Sequence, residues 1–143
     1  MLACTEGATR TFVTVRTHFS AAHRLYRADW DDARNVEVFG TCANLNGHGH
    51  NYELEVTVEG TIDPETGMVV NMKDLKALVN EWIVDRVDHK HLNLDVPFLK
   101  GVIPTAENLA VAFWAALESR VPAGRLYELR LQETERNIAI VRG

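Results

Sequence analysis

The chain has 143 residues, and 15 Lys and Arg against 20 Asp and Glu leave a formal charge of −5. With 46% hydrophobic and 24% charged residues, it has the composition of an ordinary globular domain. No apolar run reaches the roughly 20 residues of a membrane-spanning helix, and the acidic balance argues against general nucleic-acid binding.

The opening MLACTEGATR lacks the basic flank and apolar core of a signal segment, so a cytosolic protein is expected, with residues 1–10 a frayed terminus. The rest reads as one domain over the whole 1–143 span. Cys4 and Cys42 do not make a disulfide framework, which leaves Cys42 free for chemistry.

In chain order, Thr11 to Phe19 reads as a strand with Val13, Val15 and Phe19 in one phase. Residues 27–47 read as a long, polar, irregular loop and a first place to look for function. From Asn51 to Gly60 the pattern alternates: Tyr52, Leu54, Val56 and Val58 point one way, Glu53, Glu55, Thr57 and Glu59 the other. Asp63-Pro64-Glu65-Thr66-Gly67 is turn chemistry.

Asn71 caps a predicted amphipathic helix over 72–86, carrying Met72, Leu75, Leu78, Val79, Trp82 and Ile83 and breaking near Asp88-His89-Lys90. Pro104-Thr105 announces a second helix with Leu109, Phe113 and Leu117 on one stripe, stopping before Pro122 and Gly124. Strands Arg125 to Thr134 and Asn137 to Arg142 close the chain. The order strand-strand-helix-helix-strand-strand predicts an α+β fold, a four-stranded antiparallel sheet with two helices on one face. Such a sheet leaves two open edges, which favours symmetric assembly.

Chemistry concentrates in three places. The run Cys42-Ala43-Asn44-Leu45-Asn46-Gly47-His48-Gly49-His50-Asn51-Tyr52 sets two histidines in phase with Tyr52 and Leu54, and His23 continues the phase of Val13, Val15 and Phe19. Three imidazoles suit Zn²⁺ with a fourth position open, whereas Cys42 with His48 and His50 would make a structural zinc site. His18 and His91 have no comparable spacing. Asp88-His89 is either an acid/base pair or a helix-end histidine beside a solvated carboxylate. Glu133, in phase with Tyr127, Leu129 and Leu131, lies either at a rim or opposite a ligand with adjacent N–H donors.

Taken together, HFSAAHRL, FGTCANLNGHGHNY, IDPETGMVVNMKDLK, VDHKHLNLDVPF, PTAENLA and LQETERN resemble the 6-pyruvoyltetrahydropterin synthase and 6-carboxytetrahydropterin synthase family, over nearly the whole chain from Thr11. Five residues separate Cys42 from His48, which resembles the pyruvoyl-forming branch; carboxy-forming enzymes usually have three. The chain departs from the pyruvoyl pattern at Ala106, where a second Thr is usual, and at His91, where Asn is usual.

The resemblance implies a tunnelling fold, in which three subunits close a twelve-stranded barrel and two trimers stack into a homohexamer. Glu53, Glu55 and Glu59 would face the tunnel. It further implies that His23, His48 and His50 hold one Zn²⁺, that Cys42, Asp88 and His89 move protons, that Glu133 and Thr105 bind the pterin, and that the site lies between subunits. The implied substrate is 7,8-dihydroneopterin triphosphate, with Mg²⁺ a possible companion of its triphosphate and Arg24, Lys73 and Lys76 available to the phosphates. The implied product is 6-pyruvoyltetrahydropterin, a lyase product of tetrahydrobiopterin biosynthesis. The alternatives are side-chain cleavage to 6-carboxytetrahydropterin and, from another class, a pterin-binding or structural zinc module without turnover.

Overall fold

The computed structural model describes residues 9–143; Cys4 and most of the expected frayed terminus lie outside them. Strand β1 (Thr11–His23) leads to helix α1 (Asp32–Phe39), a 3₁₀ turn (Gly40–Ala43) and strand β2 (His48–Gly60). Helix α2 (Met72–Val79) continues through a π-helical stretch (Asn80–Val84) into the short α3 (Asp85–Val87). A two-residue strand β3 (Lys90–His91), a 3₁₀ turn (Pro97–Leu99), helix α4 (Ala106–Leu117) and strands β4 (Arg125–Thr134) and β5 (Asn137–Arg142) complete the chain.

The α+β architecture agrees with the sequence, but the sheet has five strands in the order β3-β1-β2-β4-β5 instead of four. The added β3 runs parallel to β1 and pairs only with Ala21 and Ala22. So short a segment carries no periodicity and is made a strand by its neighbour alone. A second correction concerns residues 27–47, which contain α1 and the 3₁₀ turn. Asp31 caps α1 by accepting from the Arg34 amide. The strands β1 and β2 also run further toward their shared turn than their apolar alternation suggests.

The helices cover one face of the sheet. Val15, Phe19, Tyr52, Leu54, Val56, Leu129 and Leu131 from the strands pack against Leu75, Val79, Ile83, Leu109, Phe113 and Leu117, all buried. Phe19 stacks on Tyr52 at 4.8 Å between centroids and meets the edge of Phe113 at 5.9 Å. Asn71 and Thr105 cap their helices as expected, accepting from the amides of Lys73 and Asn108. Glu53, Glu55 and Glu59 stand on the other face and pair with Arg16, Arg130, and Arg10 with Arg125.

Tyr127 departs from its predicted phase. The β2–β4 register slips by one residue, pairing Thr57 with Glu128 and Val58 with Leu126. Leu126 therefore takes the buried position, and Tyr127 packs on Phe12, 40% exposed, across the opposite face. A second slip between Gln132 and Thr134 leaves Glu133 as the extra residue against β5.

Candidate metal centre and its surroundings

The β1–β2 pairing sets His23 opposite His48, Ala21 opposite His50 and Phe19 opposite Tyr52. Alternation then puts all three imidazoles on the helix-covered side, at the end of the core. Nε2 of His23 lies 3.1 Å from Nε2 of His48, which lies 3.0 Å from Nε2 of His50. The rings stand nearly perpendicular to one another, at 79°, 90° and 88°.

Buried His23 donates from Nδ1 to the Pro104 carbonyl at 2.8 Å, which leaves a lone pair on its Nε2 pointing at the other two rings. Lone pairs converging in this way repel unless a cation lies among them. A tetrahedral ion with bonds of about 2.0–2.1 Å would space its nitrogens by roughly 3.3 Å, close to the separations found. The donor set therefore fits a metal, and among the described residues the ligand cluster contains these three histidines and not Cys42.

Burial lowers the pKa of His23 to about 4, with the Pro104 hydrogen bond opposing the shift and the neighbouring histidines adding to it. Burial also lowers that of His50. Both rings are thus neutral and able to ligate at pH 7. The unfolded His23 takes up its proton near pH 6.5, the folded one only near 4. Metal-free protein should accordingly lose stability as pH falls from about 6.5 to 4, by roughly 3 kcal/mol from His23, with little further change from this residue below 4. Denaturant melts of chelated protein across that range check the slope; a flat profile would contradict it.

Gly47 delivers His48 to this position. Its φ is +70°, and a Cβ there would lie 2.6 Å from the His23 carbonyl oxygen. Gly47→Ala should cost about 2 kcal/mol or more from left-handed strain and the backbone clash, and weaken metal uptake. Paired thermal melts and zinc titrations test this.

Cys42 sits in the 3₁₀ turn as a half-buried free thiol. The segment after His23 braces that turn: the Leu25 amide donates to the Cys42 carbonyl and Arg24 Nε to the Ala43 carbonyl. Burial pushes the Tyr52 hydroxyl well above its ordinary pKa, with further upward contributions from Glu133 and then Cys42. Glu133 Oε1 lies 3.7 Å from His50 Nε2. It also lines a hollow of about 460 Å³ with Leu25, Thr105, Ala106, Glu107 and Arg136. Thr105 Oγ1 accepts the helix-capping bond, and its hydroxyl proton remains free to donate.

Asp88 Oδ1 lies 3.0 Å from His89 Nδ1. The Ser20 amide donates to the same Oδ1 at 2.9 Å, and the His89 amide donates to the Ser20 carbonyl. The Ser20 amide, then His89 and His18, hold the Asp88 carboxyl below its usual range. His89 has φ +59° and its side chain is 82% exposed. Ser20 has the opposite strand phase to His23, and Cys42 does not line the hollow that His89 borders. One chain thus unites the three histidines with Glu133 but does not set Asp88 and His89 against Cys42.

Sequence reasoning missed Pro104 as the acceptor that orients His23, Glu107 in the wall of the hollow that Glu133 lines, and the contact of the Tyr52 hydroxyl with His23 Nδ1 at 3.3 Å. Only Tyr52, in phase with the histidine pair, left a sequence signal.

A two-layer α+β domain with a strand-borne three-histidine cluster and a half-buried carboxylate 3.7 Å from one of its rings defines the class: a candidate metal-dependent enzyme. Residues 12–143 match the family model described as 6-pyruvoyl tetrahydropterin synthase, and the chain belongs to that family. It is 47% identical over 142 residues to the human 6-pyruvoyl tetrahydrobiopterin synthase, covering 97% of this chain and 98% of that protein. To the Pongo abelii protein of the same name it is 49% identical over 131 residues, covering 92% and 90%. The solved structure of the Caenorhabditis elegans 6-pyruvoyl tetrahydropterin synthase superposes with a TM-score of 0.88 at 39% identity, covering 94% of this chain and 96% of that one.

Proposed function

We propose that this protein is a zinc-dependent lyase that converts 7,8-dihydroneopterin triphosphate to 6-pyruvoyltetrahydropterin and inorganic triphosphate in tetrahydrobiopterin biosynthesis. The convergence of three imidazole nitrogens at one end of the core carries this reading. Near-full-length relatives named 6-pyruvoyl tetrahydrobiopterin synthase support it.

His23, His48 and His50 would hold Zn²⁺, whose chemistry there is to polarise the side-chain hydroxyls and acidify the neighbouring C–H bonds. Glu133 accepts two N–H bonds from the amidine edge of the pterin, and Thr105 donates from its hydroxyl to the ring. Cys42, as thiolate, takes a proton from a side-chain carbon. His89, oriented by Asp88 through Nδ1, presents Nε2 to return a proton. One carbinol becomes a ketone as its two hydrogens pass to the dihydropterin ring; the other loses its C–H as triphosphate leaves the terminal carbon, and the resulting enol takes a proton on that carbon to give the second ketone and a methyl group. The electrons stay within the molecule, so no external oxidant or reductant takes part.

Within one chain Cys42 does not line the hollow that His89 borders, which favours a site completed by a second copy. We place the protein in the cytosol as a homohexamer, a dimer of trimers. Three copies would pair the open side of β5 with the β1 edge, which β3 covers only at Ala21 and Ala22. Ile138 and Ile140, 39% and 48% exposed on β5, would be covered by that closure. Among the described residues no helix is long and apolar enough to cross a membrane.

Product mass after incubation with the triphosphate substrate tests the reaction; 6-carboxytetrahydropterin with acetaldehyde as sole products would overturn it. Glu133→Gln should raise KM by about tenfold or more, from the loss of a charge-assisted pair, while zinc content stays at wild-type level. Unchanged pterin affinity in that variant would contradict the anchor.

A further inference from the structure

An acidic protein that binds a polyanion needs a local set of donors, and the cations noted in the sequence are not placed to supply it. Arg24 is engaged with the Ala43 carbonyl and lies over the Tyr26 ring at 4.0 Å. Lys73 and Lys76 are exposed on α2 and do not line the hollow that reaches His50.

That hollow, of about 450 Å³, runs along the β1–β2 end from Gly49 and His50 to His89, Lys90 and His91, with Ser20 and Asn51 in its wall. Its size is that of a small-molecule site. Lys90 is exposed, and no ion pair occupies its ammonium group among the described residues. The Ser20 hydroxyl donates to Asn51 Oδ1 at 2.7 Å, which orients the amide and leaves Nδ2 with two protons for another partner. His91 Nδ1 accepts from the Asn93 amide, so its Nε2 carries the proton. Of the neighbouring carboxylates, Asp88 is occupied by the Ser20 amide and His89, and Asp95 accepts from the His91 amide. The wall therefore offers one ammonium group and several N–H donors, with its adjacent negative charge satisfied.

We propose that Lys90, Asn51 Nδ2 and His91 Nε2 form a polyphosphate subsite that takes the triphosphate of the pterin substrate. This rests on the substrate reading above. The leaving group and the proton donor His89 then share one edge of the sheet, and β3 acquires a purpose as the element that carries the lysine.

The test is calorimetric titration of zinc-loaded protein with inorganic tripolyphosphate, with orthophosphate and dihydroneopterin as controls and zinc assayed after each run. Lys90→Ala should weaken tripolyphosphate binding about tenfold, reduce its dependence on ionic strength and raise the KM of the triphosphate substrate, and leave dihydroneopterin affinity unchanged. Lys90→Arg should keep most of the affinity. Equal tripolyphosphate affinity in wild type and Lys90→Ala, or equal loss of dihydroneopterin binding, overturns the subsite. Lysine-dependent tripolyphosphate binding without turnover would instead remove the proposed reaction and leave the subsite standing. Normal turnover with an unaltered KM in Lys90→Ala does the reverse.

Discussion

Replacing His48 by alanine should empty the metal site and reduce product formation more than about a thousandfold, because the Lewis acid contributes several kcal/mol to the barrier. Its Nε2 lies between those of His23 and His50, so its removal leaves two ligands on opposite strands with no bridge. Zinc affinity should fall more than about a hundredfold, beyond what loss of an outer hydrogen-bond partner costs a metal site. His48 is only half-buried, so the fold should survive, and far-UV dichroism separates metal loss from unfolding. One zinc per chain in the purified variant would show that the three rings are not the ligand set.

Substituting Cys42 by alanine should leave zinc in place and cut the rate by about 10²- to 10⁴-fold, the usual contribution of one positioned acid or base. The thiol is absent from the histidine cluster. Its turn is held by backbone bonds from Leu25 and Arg24 that the substitution does not touch. Zinc assay and product formation on the same sample decide between two roles. Lost zinc would restore the structural-site alternative; retained zinc with full activity would move proton abstraction to another group.

These two outcomes bear on how much of the site could be read from the chain. His48, His50 and Tyr52 share a phase because successive strand residues alternate, and that holds wherever the strand lies. The same alternation put Glu133 on the apolar side, where it meets His50. It failed for Tyr127, since a bulge reverses phase and depends on the partner strand. The helix caps Asn71 and Thr105 were legible because their bonds reach only two or three residues ahead.

Sequence by itself determined the two-layer class, the amphipathic helices, the open sheet edges and the list of chemically able residues. It did so because period, capping and turn chemistry are local properties of the backbone. The tertiary structure alone decided that His23 lies opposite His48, that a carbonyl 81 residues away orients its ring, and that Lys90 rather than Arg24 borders the hollow beside His50. It also set His89 on a hollow that Cys42 of the same chain does not line. Those relations are set by strand register and by pairing across long loops, where the deciding hydrogen bonds join residues with no sequence pattern in common.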